Sequence, residues 1–468
     1  MVRAFGDREV RVERWSELEL HGWGRYPRLR SACTRPERVS EVHAALADRG
    51  ADPLLAHGLG RSYGDAALLE GGKVVLTRRL DRMLDFDPAT GWVRCEAGVS
   101  IEDLVNTFLP RGFFPPVVPG TQFVTLGGAI ANDIHGKNHH VDGTFCDHIR
   151  RVELLTAAGA VVVCDADHEP ELFWATVGGL GLTGLILSCE LKLVPVAGPL
   201  IEMESVRVEN LDHFFAVSAE SAAFTHTVSW IDCVARGKSM GRGIFMRGRH
   251  AAAGAQASPG VLGGVIDAVS PLMQVPVDAP NWLMNKLTMR LFNETYYRKQ
   301  PHGTTAQISH YAPFFFPLDF VRDWNRVYGD RGLLQYQLVV PPDPQHRAIR
   351  QVLEAITETG MGSFLAVIKE FGDRAHPGLS FPQPGVTLAL DFPNHGRPLL
   401  DLLDRLDRVV LDAGGRVYLG KDARLSRAAF EQMYPDLDRW RGVRDRWDPQ
   451  HVFQSSLGRR LGLSGVRR

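Results

Sequence analysis

The stretch PGTQFVTLGGAIANDIHGKNHH, Pro119 to His140, spaces Gly120, Gly127, Gly128 and Gly136 among few bulky apolar residues. It then sets His135, Lys137, His139 and His140 within six positions. Such a run cannot be ordinary core. Backbone N–H groups that must approach a ligand closely need glycine, because a Cβ would block the way. A second such run, HGLGRSYGD (His57 to Asp65), follows the strand-like PLLA. Its spacing, G-x-G-x-x-x-G, misses the dinucleotide fingerprint by one residue, and DAALLEGGKVV behind it is too short for a first crossover helix. A nicotinamide Rossmann domain is therefore disfavoured. By themselves these glycines fit a phosphate cradle or a tight turn between strands.

Composition sets the frame. The chain has 468 residues, 44% hydrophobic and 23% charged, as in a soluble globular protein. At ~150 residues per domain it holds two or three domains. The net charge of −1, from 53 basic and 54 acidic residues, gives no reason to expect nucleic acid or an anionic membrane as the main partner. MVRAFGDREVRVERW at the start is charged and lacks the apolar region of a Sec signal. No apolar run reaches the ~18 residues of a membrane span, so a cytoplasmic protein is expected, with the periphery of the inner membrane as an alternative. GVLGGVIDAVSPLMQVPV (Gly260 to Val277) comes nearest but carries Asp267 and two prolines, and reads as a flexible or surface-associating loop. AAAGAQASPGVLGG before it is low in complexity. The six cysteines lie far apart with no CxxC, so they read as small buried apolar side chains, and no metal site is expected.

Element signals differ between the halves. KVVLTR and GWVRCEAG read as strands, and SIEDLVNTFLP as a helix with Ser100 as N-cap and Asp103 three residues on. ELFWATVGG reads as a helix stopped by Gly178 and Gly179, and LTGLILSCELKLVPV as a strand. From residue 200 to about 395, stretches such as LLQYQLVVP and VTLALDFP alternate, as in an antiparallel sheet with one wet face. LLDLLDRLDRVVLDAGG has helical spacing, RVYLGKD reads as a strand, and the tail from Ala428 as helical.

GLGRSYGD, the opening stretch and LFWATVGGLGLTGLI together resemble the FAD-binding half of the vanillyl-alcohol-oxidase type of flavoprotein. DIHGKNHH, LQYQ, SFP.PG and YLGKD extend the resemblance over nearly the whole chain, toward the members that oxidise a polyprenyl-phosphoryl ribose. The resemblance implies an α+β protein of two parts. Residues 1–195, joined by 411–468, would form the FAD domain, and 196–410 a substrate domain built on an antiparallel sheet. It assigns Gly58, Gly60, Arg61, Ser62, Tyr63, Gly64, Gly120, Thr125, Gly127, Gly128, Asn132, His135, Ile186 and Tyr418 to FAD. Many relatives tether FAD through a His in the first loop; here Tyr63 stands in that place and no Cys replaces it, so FAD is expected to be non-covalent.

The implied reaction is oxidation of the C2 hydroxyl of a polyprenyl-phosphoryl β-D-ribose to the 2-keto sugar. An NAD(P)H-dependent reductase would complete an epimerisation toward the arabinose donor of cell-wall arabinan, and oxygen or a quinone would accept the electrons. A soluble sugar-alcohol or aldonolactone oxidase, and a non-catalytic flavin- or sugar-lipid-binding protein, are the alternatives.

Alcohol oxidation needs a proton acceptor and charge near the acceptor ring. Lys421 in YLGKD is the first candidate, against a solvated lysine after a strand; His135 and Tyr63 are the other catalytic candidates. His135 and His139, spaced i, i+4, suit a metal only with acidic or Cys partners, and none accompanies them. Gln335 and Gln337 alternate onto one strand face and suit sugar hydroxyls, or else form an exposed polar face. Lys369, interrupting an apolar strand, reads as a phosphate ligand or a snorkelling side chain; Lys137 as a substrate ligand or a solvated charge; Trp230 as a pocket wall or core. Thr387, Ala389 and Phe315 occupy substrate-side positions where the family has Asn, a reactive Cys and Tyr, which leaves the substrate open.

Overall fold

The computed structural model describes residues 15–258 and 273–464. The charged N-terminal segment and most of the apolar loop read between Gly260 and Val277 lie outside the described residues. Three sheets lie within the first 195 residues, the smallest pairing Phe113–Phe114 with Val194–Pro195. A four-stranded sheet runs in the order Ser16–His21, Arg28–Thr34, Lys73–Leu76, Leu54–His57, its last three strands parallel. A five-stranded antiparallel sheet runs Met83–Asp87, Trp92–Glu96, Leu185–Lys192, Ile149–Leu155, Val161–Asp165. Helix Ile101–Phe108 covers it. Ser100 and Asp103 close a capping box at its start, and Ile101, Leu104, Val105 and Phe108 fall on its buried face.

After Pro195 the architecture changes to one eight-stranded antiparallel sheet. Its order is Thr304–His310, Leu200–Val208, Gly243–His250, His226–Ile231, Ala366–Phe371, Gly385–Pro393, Leu333–Val340, Arg416–Val417. Alternation sorts its two faces. Leu334, Tyr336, Leu338, Ile368, Leu388 and Leu390 point back into one core with helices Arg347–Thr359 and Arg397–Asp412. Their neighbours, Gln335, Gln337, Lys369, Thr387, Ala389 and Asp391, therefore share the front face. The front is partly buried: Gln337, Thr387 and Asp391 are buried, while Gln335, Lys369 and Ala389 are half-buried.

The strand expected over RVYLGKD is only Arg416–Val417, and it belongs to the edge of the large sheet. Tyr418 to Asp422 form turns instead, closed by Lys421 N–H to the Tyr418 carbonyl and Asp422 N–H to the Leu419 carbonyl. The tail is helical over Arg427–Met433, Leu437–Trp447 and Ser456–Arg460. It returns to the first sheet through Leu54 N–H to the Val452 carbonyl and Gln454 N–H to the Leu54 carbonyl.

One interlock joins the first glycine loop to that turn. Tyr63 N–H donates to the Gly420 carbonyl at 3.1 Å. A Cβ on Gly64 would sit 1.9 Å from the Asp422 carbonyl oxygen, so only glycine lets the segments touch. Beneath them Arg460 donates from Nη2 to Asp65 and to Asp422, both at 2.8 Å. Both carboxylates are buried, 5% and 4% exposed. Arg460→Met should lower unfolding stability by about 3 kcal/mol, the low end for a broken buried pair because the arginine keeps some water contact. Urea unfolding at neutral pH checks this.

Candidate active site

The two glycine stretches meet each other. A Cβ on Gly58 would lie 2.4 Å from Thr125 Oγ1, and Gly60 adopts the left-handed φ of +64° that favours glycine. Among the described residues no internal acceptor is found for the N–H groups of Gly58, Leu59, Gly60, Arg61 or Ser62. Gly120 faces open space, while Gly127 packs on Ala97. Thr125 caps helix Leu126–Ala131 by accepting from Gly128 N–H at 3.2 Å. Asn132 donates to the Gly128 carbonyl, and its Oδ1 is buried without a partner, as is His135 Nδ1. Buried polar atoms and amides left unmatched in this way form a cradle awaiting a polar ligand.

The rest of the assigned set surrounds this cradle unevenly. The Tyr418 hydroxyl donates to the Asn132 carbonyl at 2.8 Å, and its ring stacks on Phe381 at 4.6 Å. Ile186 sits in the core that also holds Leu126, Ala129 and Ile130, supporting the short helix from beneath. Arg61 lies over the ring of Trp23 at 4.0 Å and near Phe123 at 5.1 Å. Ser62 gives its carbonyl to Trp23 N–H.

Opposite the glycine stretches runs the polar row of the large sheet. Gln337 Nε2 and His135 Nε2 are 2.9 Å apart, and Gln337 also reaches Thr387 Oγ1 at 3.3 Å. Gln335 donates to Asp391 Oδ1. Ala389 pairs with Gln337 on one side and Val367 on the other, and Trp230 continues that row opposite Val367. The solvated and snorkelling readings of the lysines fail. Lys369 Nζ donates to the Gly136 carbonyl at 3.2 Å, and Lys137 Nζ to the Phe315 carbonyl at 3.0 Å. Lys421 Nζ lies over the Tyr63 ring, 4.2 Å from its centroid. Gln335 and Gln337 are likewise not an exposed face.

Trp230 is packed as core: its Nε1 donates to the Phe364 carbonyl at 2.8 Å and its ring meets Tyr296 edge-on. Phe315 is buried in an aromatic stack with Phe114 at 5.5 Å, beside His226.

Asp391 was not anticipated. It interrupts the apolar run VTLALDFP, the same kind of signal that singled out Lys369. Its Oδ2 is buried with no hydrogen-bond partner. Desolvation raises the Asp391 carboxyl and lowers the Lys421 ammonium, each partly opposing the other's shift. Burial also takes Lys137 down to about 8, and Lys369 down to about 7 with repulsion from Lys137 and Lys421. His135 is held neutral by burial and by Lys369. The site can thus accept a proton and strongly favours an anionic ligand.

Comparisons with known proteins give the family of the chain. Residues 30–165 match the family described as FAD binding domain, and residues 393–461 that described as D-arabinono-1,4-lactone oxidase. The chain is 39% identical to decaprenylphosphoryl-beta-D-ribose oxidase of Mycolicibacterium smegmatis over 451 residues, 95% of this chain and 97% of that protein. It is 35% identical to an uncharacterized Streptomyces coelicolor protein over 78% of this chain and all of the other. L-gulonolactone oxidase of Scyliorhinus torazame is 30% identical over 34% of this chain and 36% of its own. FAD fits the residues present: the bare amides suit a diphosphate, and the orphaned Asn132 and His135 atoms suit a polar ring edge.

Two outcomes follow from the polar row. Lys369 has a folded value near 7 against an ordinary 10.5, so the unfolded chain binds more protons between those limits. Stability of the apoprotein should therefore rise as pH increases from about 7 toward 10. Lys369→Met should flatten that rise in denaturant titrations. Ala389→Cys would place a thiol between Gln337 and Val367, whereas all six native cysteines are free and buried. Nitroaromatic agents that trap a thiol should leave the native protein unlabelled and label the variant, as read by intact mass.

Proposed function

Because the chain belongs to the decaprenylphosphoryl-β-D-ribose oxidase family and is an FAD-dependent oxidoreductase, we propose that it oxidises the C2 hydroxyl of a polyprenyl-phosphoryl β-D-ribose to the 2-keto sugar. The observation that carries this reading is the convergence of three half-buried lysines, Lys137, Lys369 and Lys421, on one row of amide side chains. Their ammonium groups outnumber the carboxylates facing them, and a phosphoryl substrate supplies the missing negative charge. Gln335 and Gln337 offer donors and acceptors for sugar hydroxyls.

When bound, FAD supplies the two-electron acceptor for the carbinol hydride. The protein handles the proton. Lys421, biased by burial toward the free amine, takes it from the C2 hydroxyl, and Asp391 stabilises the ammonium that results. Gln335 holds that carboxylate in place. His135, neutral and tied to Gln337, orients the amide row. With Tyr63 where a tethering residue would stand, FAD is held non-covalently. An NAD(P)H-dependent reductase would reduce the keto sugar with inverted configuration, and oxygen or a quinone would take the electrons.

A second reading, a soluble aldonolactone or sugar-alcohol oxidase, draws on the lactone-oxidase match over residues 393–461 and on Thr387, Ala389 and Phe315. Anaerobic mixing of the holoprotein with farnesyl-phosphoryl-β-D-ribose should bleach the flavin band near ~450 nm, while xylitol and gulonolactone should not. The reverse pattern selects the second reading, and no bleaching by any of them leaves a binding protein. Acid precipitation should release the yellow colour into the supernatant. Lys421→Met should keep FAD yet slow bleaching by about 10²–10⁴-fold. Asp391→Asn, which removes the charge stabilising the ammonium, should shift the acidic limb of the bleaching rate to lower pH.

A further inference from the structure

Among the described residues, the six most exposed large apolar side chains are Met273, Val277, Trp282, Leu287, Leu291 and Phe292. Trp282 is 73% exposed, Leu287 75% and Leu291 67%. The others of that kind, such as Leu84 and the pair Val161 and Val163 on one strand, are 45% exposed or less. A cluster of this size on a soluble protein marks a surface that something covers.

The helix Lys286–Lys299 gives the patch its form. Its inner side carries Met289, which packs in one cluster with Tyr63, Tyr328 and Leu333, and Tyr297, which packs with Trp230 and Ile244. Asn293 donates to Asp232 at 2.8 Å and pins this side down. The outer side shows Leu287, Arg290 and Leu291 at helical spacing, flanked by Lys286, Arg298 and Lys299, all exposed. The helix therefore separates the candidate active site from its own apolar, basic outer face.

The charges choose the occupant. The two acidic residues between Met273 and Lys299 are spoken for within the fold. Asp278 pairs with Arg25 at 2.8 Å and Arg326 at 2.9 Å. Glu294 pairs with Arg242 and Arg298. Arg298 is thereby neutralised, and among the described residues Lys286, Arg290 and Lys299 form no ion pair, so theirs is the positive charge left facing outward beside the leucines. A second copy of the chain meeting this face about a two-fold axis would set like charges against each other. An anionic bilayer surface matches both features: the indole and leucines enter the headgroup boundary, and the basic groups meet lipid phosphates.

We propose that the outer face of helix Lys286–Lys299, with Trp282 just before its start, is a docking surface for anionic lipid bilayers. It holds the protein at the membrane with the active site directly behind the helix. The lipid face stands on exposure and charge alone. Its use in delivering substrate rests on the polyprenyl-phosphoryl reading, since such a chain resides in the bilayer.

The test is co-sedimentation of the holoprotein with vesicles of phosphatidylcholine, alone or with roughly one third phosphatidylglycerol, at low and high salt. Binding to the anionic vesicles that high salt weakens is the expected result. Arg290→Glu should weaken it by at least about fivefold, from ~1 kcal/mol per basic residue at a charged membrane. The triple variant Trp282→Ser, Leu287→Ser, Leu291→Ser should abolish it. Unchanged turnover of a detergent-dispersed short-chain substrate shows that the variants are folded. A holoprotein that stays in the supernatant with both vesicle types overturns the proposal, as does equal binding by the variants. Concentration-dependent dimers lost in the triple variant, without vesicle binding, overturn it in favour of a second copy. Vesicle binding without flavin bleaching by any polyprenyl-phosphoryl sugar supports the face and overturns only the substrate reading.

Discussion

The contact on which the site depends is the seat of Gly64 against the Asp422 carbonyl, reinforced by Tyr63 N–H to Gly420 and by Arg460 between Asp65 and Asp422. It joins segments more than 350 residues apart in sequence. Without it the first glycine loop would be an open turn, and Lys421 would have no fixed relation to Tyr63. Desolvating two carboxylates is unfavourable by itself, so the shared guanidinium turns a liability into a specific join. The chain uses it to bring the first glycine loop and Lys421 to one place.

A second constraint comes from the pleat of the eight-stranded sheet. Side chains alternate, so a strand that buries Leu334, Tyr336 and Leu338 against helices must aim Gln335, Gln337 and Val339 the other way. The glycine stretches then roof that front face and leave its lysines half-buried. Roofing is what depresses the lysines and lifts Asp391, because water is the best solvent for a charge. The result is an interior poised for proton transfer and short of negative charge, a combination that favours phosphoryl ligands.

Several features were legible without coordinates. The capping box at Ser100 and Asp103 is a local signal and forms as read. The alternation in LLQYQLVVP and VTLALDFP placed Gln335 with Gln337, and the paired strands agree. The strand read over RVYLGKD ended after Val417, because Gly420 must let its neighbours turn back against Asn132 and Tyr63. Asp391 went unnoticed although it breaks an apolar run as plainly as Lys369 does. Nothing in the run says that Lys421 will lie nearby. Arg460 and Asp422 were also missed, since an Arg in a basic tail and an Asp after a Lys look like ordinary surface.

By itself the sequence determined the residue types of the site and the alternation that pairs Gln335 with Gln337, because these are local properties of the chain; the family and FAD came from the resemblance its motifs carry, since the glycine spacing alone fits a tight turn as well. Only the tertiary structure decided which charges lost their water and which partners they met. Burial and long-range approach depend on how the sheets and the C-terminal return pack together, and no stretch of residues carries that alone.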